Sequence, residues 1–478
     1  YRTDDGLELT QRLRVFDFTT PANNHFLAVR ELWVQGPIYR RRPDLIGFIN
    51  GIPLLFIECK AHYRDVRAAY NDNLTDYKDT IAELFHYNAV IMLSNGHEAR
   101  VGTITSKYQH FNEWKRLREA DAGVVDWQTM LAGMCAKDAF MDLFENFIVF
   151  DASGKGTRKI LARNHQYLGV NQAYAAVQSP QLRTGKLGVF WHTQGSGKSY
   201  SMAFLARKVH RRLPGAFTFL ILTDRQELDR QIYKTFAGVS AVTEPKETCQ
   251  ATSGTHLKQL LGENHAYIFS LIHKFNQNNQ EPYTLRKNVI VFSDEAHRTQ
   301  YGRLALNMRQ MLPNAAYLGW TGTPLIGGPE DELTREIFGD YVSIYDFQRS
   351  VDDGSTVPLY YDNRGEKLDI TTEAINDIVA QEVEKLDMDD ETEARVVRAL
   401  GKNYMVLTAP VRLQRIAQDL VAHFVKRWET GKAMLVCLDK LTAVKMYNLI
   451  AAEWQKKIAE LRQQAMRMTG DQEEAEVQ

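Results

Sequence analysis

A glycine-rich segment follows a short apolar run near the middle of the chain. Residues 191–199 read W-H-T-Q-G-S-G-K-S, and a helical pattern begins directly after them. In such a loop the backbone N–H groups turn towards phosphate oxygens, and the following helix N-terminus adds positive potential. Lys198 would reach the β- and γ-phosphates, and the Ser199 hydroxyl would ligate Mg²⁺. The segment therefore predicts a nucleotide-phosphate site formed by Thr193, Gly195, Ser196, Gly197, Lys198 and Ser199.

This loop departs from the usual G-x-x-x-x-G-K-[ST] pattern at its first position, where His192 replaces glycine. Taken alone, it could be a glycine turn with a chance lysine. An acidic pair downstream favours the nucleotide interpretation, because residues 289–297 read V-I-V-F-S-D-E-A-H. Asp294 would hold Mg²⁺, and Glu295 would polarise the water that attacks the γ-phosphate. An isolated acidic pair after a strand is more often a helix N-terminal charge effect.

A second group of chemically capable residues lies near the N-terminus, where residues 42–60 read R-P-D-L-I-G-F-I-N-G-I-P-L-L-F-I-E-C-K. Glu58 and Lys60 are two positions apart, so on a strand they project to the same side. A hairpin through the turn at residues 50–51 would bring Asp44 near that face. Two carboxylates bind a hard divalent cation such as Mg²⁺, and the lysine can orient or help deprotonate an attacking water. The alternative is a surface ion pair at a hairpin end.

Three stretches of the chain, which differ in their pattern of predicted strands and helices, must position these residues. Residues 1–155 mix short β-rich runs with helices, and residues 156–356 alternate strands and helices, which is typical of a parallel sheet covered by helices. Residues 357–478 begin another α/β unit with a buried strand at 433–438. We predict strands at 26–34, 44–50, 53–58, 89–94, 188–191, 217–222, 266–270, 289–292 and 316–320, a helix at 65–87, a polar linker at 151–156 and a solvated acidic stretch at 387–393.

Composition bounds the class of protein without identifying it. The 478 residues are 44% hydrophobic and 24% charged, with a formal net charge of −1, so any DNA contact must come from local basic surface. Four cysteines far apart, with no C-x-x-C pair, argue against a zinc site or a disulfide framework and favour the reducing cytoplasm. No apolar run reaches the length of a membrane span, and no secretory signal pattern is present. Both ends are expected to be cut within a longer protein.

Several motifs resemble those of superfamily 2 helicases and translocases. The D-E-A-H tetrad at 294–297 is the first match, and T-D-R at 223–225, with Leu228 and Gln231, looks like their DNA-contacting segment. T-G-T-P at 321–324 resembles the motif that couples hydrolysis to domain movement, which adds Thr321 and Thr323 to the nucleotide-site candidates. Gln166 lies where similar proteins use glutamine to read adenine, although a helical glutamine is usually only solvated.

The order of a PD-(D/E)xK nuclease followed by a DEAH-type motor resembles the restriction (motor) subunit of type I restriction enzymes. The resemblance to that family covers residues 20–365. It is closest in the segments R-R-P-D, F-I-N-G-I-P-L-L-F-I-E-C-K, W-H-T-Q-G-S-G-K-S and D-E-A-H-R-T-Q-Y-G. Asn73-x-x-x-Tyr77 also resembles the Q-x-x-x-Y element of RecB-type nucleases, with asparagine replacing glutamine.

This resemblance implies an α/β fold with a nuclease-like mixed-sheet domain (1–155) followed by RecA-like parallel-sheet motor domains (156–356 and a truncated 357–478). It implies catalytic roles for Asp44, Glu58, Lys60 and Glu295, with ATP and Mg²⁺ as cofactors. It also implies double-stranded DNA, methyltransferase (modification) and specificity subunits as partners. The second motor lobe of the family carries a G-R-x-x-R-type motif that is missing here, so we expect a fragment that binds ATP weakly and hydrolyses little alone.

Two other functions stay open from the sequence. One is a stand-alone repair-type helicase–nuclease that works on DNA ends, and the other is a non-nucleolytic ATP switch in which Glu58 and Lys60 are structural. Residues 40–42 (R-R-R) are expected to neutralise DNA phosphates. Residues 207–212 (R-K-V-H-R-R) are expected to form a solvated helix face.

Overall fold

The computed structural model describes residues 5–6, 8, 14–179, 184–275, 281–295, 301–323, 327, 329–361, 404, 407–427 and 431–477. The chain divides into two compact units, Tyr1–Pro358 and Leu359–Gln478. Across the described residues, no helix combines the length and apolar composition that crossing a membrane requires. The division of the first unit into nuclease and motor domains stays a prediction.

A mixed five-stranded sheet comes first in the chain. Its strands β1 (Phe26–Arg30), β4 (Leu45–Ile49), β5 (Ile52–Cys59), β6 (Val90–Ser94) and β7 (Ala99–Gly102) lie in the order β1-β4-β5-β6-β7, while β2 (Val34–Gln35) and β3 (Arg40–Arg41) form a separate ribbon. Only β5 and β6 are parallel neighbours in this sheet. Asn50 and Gly51 have φ values of 52° and 82°, the left-handed conformations that a two-residue turn requires. The predicted hairpin is therefore confirmed, but the strand predicted at 26–34 ends at Arg30 because Glu31 is also left-handed, with φ 53°.

The single helix predicted at 65–87 is right only in part, because the continuous helical segment covers residues 67–80, has a π-helical middle and ends there. The structure has a π-helix (Ala69–Leu74), an α-helix α1 (Thr75–Thr80) and a 3₁₀ turn (Ala82–Phe85). Buried residues in this segment recur at uneven intervals, and the five-residue step between Ala69 and Leu74 matches the i→i+5 period of a π turn. Packing against the sheet therefore breaks the regular helix.

The polar linker predicted at 151–156 is also wrong. Helices α2 (Trp127–Met134) and α3 (Lys137–Asn146) lead into a hairpin of β8 (Ile148–Gly154) and β9 (Gly156–Leu161). Asp151 in β8 is fully buried, and its carboxylate accepts hydrogen bonds from Arg158 at 2.6 Å and Tyr200 at 2.8 Å. Arg158 lies directly opposite Asp151 on β9, whereas Tyr200 lies on a helix 49 residues further along the chain. The segment therefore forms a strand although its composition is typical of a polar loop.

The second sheet contains six parallel strands, which confirms the predicted parallel α/β architecture. They are β10 (Lys186–His192), β11 (Thr218–Thr223), β12 (Tyr267–Leu271), β13 (Val289–Asp294), β14 (Ala316–Thr321) and β15 (Tyr341–Tyr345), in the order β12-β11-β13-β14-β10-β15. β11, β13 and β14 are buried along their whole length, because helices cover both faces of a parallel sheet. The carboxyl ends of β10, β13 and β14 therefore meet at one edge.

Helices connect and cover these strands. They are α4 (Asn164–Gln178), α5 (Lys198–Arg212), α6 (Gln226–Gly238), α7 (Lys246–Cys249), α8 (Gly254–Gly262), α9 (Tyr301–Met311), α10 (Pro329–Phe338) and α11 (Phe347–Asp352). The solvated face predicted at 207–212 is wrong in part, since Lys208 is buried. Its ammonium group lies 2.7 Å from the carboxylate of Asp142 on α3, a pairing that no local pattern indicates.

In the second unit, the described residues form two helices, α12 (Pro410–Val425) and α13 (Lys440–Val477). The buried strand predicted at 433–438 is wrong, because these residues have no regular structure and Met434 and Val436 are exposed. A strand needs a hydrogen-bonded neighbour, and no described residue of this unit belongs to one. The acidic stretch predicted at 387–393 lies outside the described residues.

Candidate functional site

Glu58 lies near the carboxyl end of β5, the central strand of the first sheet, and its side chain is 2% exposed. Burial, and then the nearby Asp44 carboxylate, raise the pKa of Glu58 to about 8 although Lys60 opposes this change. Among the described residues, no group donates a hydrogen bond to its Oε2 atom. Asp44 is held close by, with Oδ2 accepting a hydrogen bond from the backbone N–H of Cys59 at 2.8 Å. One buried carboxylate oxygen is thus left for a cation.

A β-bulge brings Asp44 opposite Glu58. The register of the hairpin shifts in β5, where Leu54 is an extra residue without a partner in β4. Beyond the bulge Leu45 pairs with Ile57, so the next residues along, Asp44 and Glu58, face each other. Without the bulge, Asp44 would face Ile57. The sequence pattern identified the two strands but not the irregularity that aligns the two carboxylates.

Lys60 projects on the same side as Glu58, and its Nζ lies 3.8 Å from Glu58 Oε1. The ammonium group also donates a hydrogen bond to the side-chain oxygen of Asn73, whose Nδ2 in turn donates to the Tyr77 hydroxyl at 3.2 Å. Asn73 lies in the π-helix and Tyr77 in α1. The structure therefore brings the N-x-x-x-Y element, whose role the sequence left open, into direct contact with the lysine.

The ligand chemistry of this cluster fits a hard divalent cation. No group of three or more His, Cys, Asp or Glu side chains lies close enough to hold a metal in the part of the chain that the structure describes. A cation here would rest on Asp44 and Glu58, with its other oxygens from backbone, water or phosphate. That donor set suits Mg²⁺, which keeps several waters and is usually bound through one or two carboxylates plus substrate phosphates.

The glycine-rich loop lies at the carboxyl edge of the second sheet. Gly195 and Gly197 have φ values of 83° and 88°, which favour glycine. The Thr193 N–H donates to the Tyr345 carbonyl at 2.9 Å, which ties the loop to β15. The candidate phosphate ligands lie between the end of β10 and the first turn of α5: Thr193, Gly195, Ser196, Gly197, Lys198 and Ser199.

Lys198 lies between this loop and the acidic pair that follows β13. Its Nζ donates to the His192 carbonyl at 3.2 Å. Burial lowers the pKa of Lys198, and the charges of Asp294 and Glu295 oppose this change. Burial, and then Glu295, raise the pKa of Asp294 to about 6 although Lys198 opposes the increase. The structure thus brings together the lysine and both carboxylates singled out in the sequence.

The T-G-T segment contacts the same lysine. Thr321 ends β14 beside Trp191 of β10, and the Thr323 N–H donates to the Thr321 hydroxyl oxygen at 3.2 Å. A Cβ atom on Gly322 would lie 3.0 Å from Nζ of Lys198, so the backbone passes close to the ammonium group. Three motif positions lie outside the described residues: Ala296, His297 and Pro324.

Gln166 is packed against the loop. Its Oε1 accepts a hydrogen bond from the Arg163 N–H at 2.9 Å, and its Nε2 donates to the Gly197 carbonyl at 3.0 Å. A Cβ atom on Gly197 would lie 2.7 Å from that Nε2. Both ends of the amide therefore hold protein backbone in this structure, and adenine recognition by Gln166 stays a prediction.

The segment predicted to contact DNA follows β11. The buried Thr223 hydroxyl donates to the Arg225 carbonyl at 3.3 Å, while the Arg225 side chain is exposed and lies 3.5 Å from Asp224. Leu228 is half-buried and Gln231 is exposed on α6. Arg225 and Gln231 are therefore available to a ligand at this edge of the sheet.

His192, noted in the sequence only as a departure from the loop pattern, has its own buried contacts. Its Nε2 lies 2.7 Å from the Ser343 hydroxyl oxygen, and that hydroxyl donates to Glu119 Oε1 at 2.9 Å. Burial lowers the pKa of His192 well below its usual range. The neutral imidazole thus ties β10 to β15, where a glycine could make no such bond. Only a knowledge of which strands are neighbours would have revealed this pairing.

Comparison with known proteins gives two family matches. Residues 165–394 match the SWI2/SNF2 ATPase model, and residues 2–110 match the model of the type I restriction enzyme R protein N terminus. The HindI endonuclease subunit of a type I restriction enzyme from Haemophilus influenzae is 36% identical over 95% of this chain. The putative MjaIXP endonuclease subunit from Methanocaldococcus jannaschii is 31% identical over 94%.

The chain spans about half the length of these relatives, covering 45% of the first and 46% of the second. Among solved structures, the SWI2/SNF2 ATPase core of Sulfolobus solfataricus in complex with dsDNA aligns over 60% of this chain and 67% of that chain. Its TM-score is 0.30 and its sequence identity is 11%.

Proposed function

This chain belongs to the family of type I restriction enzyme endonuclease subunits, and we propose that it couples ATP-driven movement of double-stranded DNA to endonucleolytic cleavage. The cofactors would be ATP and Mg²⁺. The working enzyme would also contain methyltransferase (modification) and specificity subunits and act in the cytoplasm. The observation that carries the nuclease part is the buried carboxylate of Glu58 beside Asp44 and Lys60.

In the proposed nuclease site, Asp44 and Glu58 hold the cation and Lys60 serves the attacking water. Mg²⁺, when bound, would polarise the scissile phosphate and stabilise the charge that develops on it. The ammonium of Lys60, fixed by Asn73 and Glu58, is placed to orient that water or to stabilise developing negative charge. The Tyr77 hydroxyl accepts a hydrogen bond from Asn73 Nδ2, so that Tyr77 acts as a positioning residue.

In the proposed motor site, the loop amides and Lys198 bind the β- and γ-phosphates. Ser199 and Asp294 would hold the nucleotide-bound Mg²⁺, and Glu295 would orient the attacking water. The raised pKa of Asp294 supports this assignment, because a buried carboxylate ionises readily only once a cation is near it. Thr321 and Thr323 would sense the γ-phosphate, since the Gly322 between them lies close to the ammonium group of Lys198.

The test uses the full-length subunit assembled with its modification and specificity subunits. Glu58→Gln and Asp44→Asn should abolish cleavage of a circular plasmid that carries the recognition site, while DNA-stimulated ATP hydrolysis continues. Glu98→Gln is the matched control, because Glu98 is exposed and lies outside the cluster.

Normal cleavage by both carboxylate variants would refute the nuclease assignment and leave the non-nucleolytic switch. Degradation of linear DNA from its ends, without the partner subunits, would instead favour the repair-type helicase–nuclease.

A further inference from the structure

Residues 33–42, here called the arginine ribbon, form a short hairpin that exposes three large apolar side chains to solvent. It comprises β2, the turn 36–39, β3 and the flanking residues Trp33 and Arg42. Ile38 at the tip is 80% exposed, and Trp33 and Tyr39 are 53% and 52% exposed. Large apolar side chains grouped in this way indicate an interaction surface.

The ribbon is fixed to the helix that carries Tyr77. Arg41 makes two hydrogen bonds to the carboxylate of Asp76 on α1, at 2.6 and 2.9 Å. Gly36 packs so closely on α1 that a Cβ atom would collide with the carbonyl oxygen of Thr80. The ribbon therefore has a fixed position beside the nuclease cluster, because Asp76 directly precedes Tyr77.

The other two arginines project from the ribbon. The guanidinium carbons of Arg40 and Arg42 lie 4.6 and 5.4 Å from the centre of the Trp33 ring. Arg42 is 3.5 Å from the exposed carboxylate of Glu31, whereas Arg40 makes no ion pair with any residue that the structure describes. Stacking on Trp33 holds both guanidinium planes while leaving N–H edges open to a further acceptor.

The location of the Arg40 and Arg42 side chains indicates what they bind. Arg42 is only two residues before Asp44, so its backbone lies within about 7 Å of a proposed cation ligand. Any phosphodiester cut at Asp44 and Glu58 must bring flanking backbone phosphates past this surface. Preorganised arginines next to an exposed apolar side chain are a combination by which proteins bind backbone phosphates and fill a groove of duplex DNA.

We propose that the arginine ribbon holds duplex DNA at the cleavage site, with Arg40 and Arg42 on backbone phosphates and Ile38 in the adjacent groove. This rests on the proposed nuclease function. Arg41 contributes no phosphate contact of its own, because Asp76 occupies its guanidinium group. The R-R-R run thus divides into two DNA contacts and one anchor.

Binding of the 478-residue chain to a fluorescein-labelled 30-base-pair duplex tests the proposal by anisotropy, in EDTA and over a series of salt concentrations. Arg40→Gln/Arg42→Gln should weaken binding about tenfold or more and reduce the slope of log K against log salt by about 2. Ile38→Ser should weaken binding without changing that slope. Arg14→Gln/Arg118→Gln removes the same charge from exposed positions outside the ribbon and is the matched control.

Equal binding by the ribbon and control double variants would overturn the ribbon proposal and leave the nuclease assignment intact. Loss of assembly with the other subunits, with duplex binding unchanged, would also overturn it and show a protein interface. If the unsubstituted chain binds no duplex at all, the ribbon proposal fails, whereas the proposed function is decided separately by cleavage with Glu58→Gln in the assembled enzyme. Thermal unfolding of each variant should match the parent chain, since the substituted side chains are exposed.

Discussion

Replacing Glu58 with glutamine should stabilise the chain in the absence of divalent cations, and increasingly so as the pH rises. Glutamine has nearly the same shape and carries no charge. Glu58 is buried, and burial followed by repulsion from Asp44 raises its pKa to about 8. The buried site therefore accepts the neutral form of residue 58 and disfavours the carboxylate.

The size of the effect follows from the two pKa values. Below pH 4.5, its usual value, Glu58 is protonated in the folded and the unfolded chain alike and adds no pH dependence. Between pH 4.5 and about 8 the unfolded chain releases a proton that the folded chain keeps, so the free energy of unfolding falls as the pH rises. Each pH unit in this interval costs about 1.4 kcal/mol, which amounts to on the order of 3 kcal/mol at pH 7.

Urea unfolding followed by circular dichroism, from pH 5 to pH 8 in EDTA, measures this difference. The stabilities of the parent chain and Glu58→Gln should differ least at pH 5, by about 1 kcal/mol or less, and diverge steadily above it. Millimolar Mg²⁺ should then stabilise the parent chain at pH 8 but not the variant, because a bound cation favours the ionised carboxylate. A stability difference that does not change with pH, or equal stabilisation of both proteins by Mg²⁺, would refute the reasoning.

Three further outcomes test other parts of the structure. Lys198→Ala should abolish ATP hydrolysis by the assembled enzyme while Mg²⁺-dependent stabilisation at Glu58 persists, as a phosphate-release assay and unfolding curves would show. Gly197→Ala should weaken binding of a fluorescent ATP analogue at least tenfold, because the new Cβ would clash with Gln166 and residue 197 has a φ of 88°. Unchanged affinity would contradict the packing described for this glutamine. Asp151→Asn should lower the free energy of unfolding by about 2 kcal/mol, since it removes charge-assisted hydrogen bonds to a buried group, and equal urea midpoints would show that these bonds contribute nothing.

The elements whose conformation depends on neighbouring residues in the chain could be predicted from the sequence. The Asn50-Gly51 turn required left-handed residues, and the sequence supplied two that adopt them readily. The continuous apolar strands of the second sheet were equally readable, because a parallel sheet is buried on both faces. The order of the motifs assigned the loop, Asp294 and Thr321 to one nucleotide site, and the parallel sheet brings them to the same edge.

Features that depend on hydrogen bonds to residues distant in the chain could not be predicted from the sequence. The bulge at Leu54 is stabilised by hydrogen bonds from the Ala89 N–H and the Asn88 side chain to its carbonyl, at 2.7 and 3.2 Å. Pro53, which has no N–H to donate to a ladder, was the one local signal. Asp151 likewise lies in a strand, where its buried carboxylate accepts a hydrogen bond from Tyr200 on α5. In both places tertiary hydrogen bonds stabilise the observed backbone conformation.

The two candidate sites share a physical property that pattern matching does not measure. Burial raises the pKa of Glu58 and lowers that of Lys198, so each buried site disfavours the charge that its proposed chemistry needs. A divalent cation at Glu58 and a triphosphate at Lys198 would each add counter-charge beyond that of the neighbouring side chains, and binding would then stabilise the fold. Burial also lowers the pKa of Lys208, but its ammonium group donates hydrogen bonds to both carboxylate oxygens of Asp142 and to the side-chain oxygen of Asn171. In contrast, Glu58 Oε2 accepts no hydrogen bond from any described residue. This difference explains why Glu58, in the looser of the two motifs, is as strong a candidate as Lys198 once its burial is known.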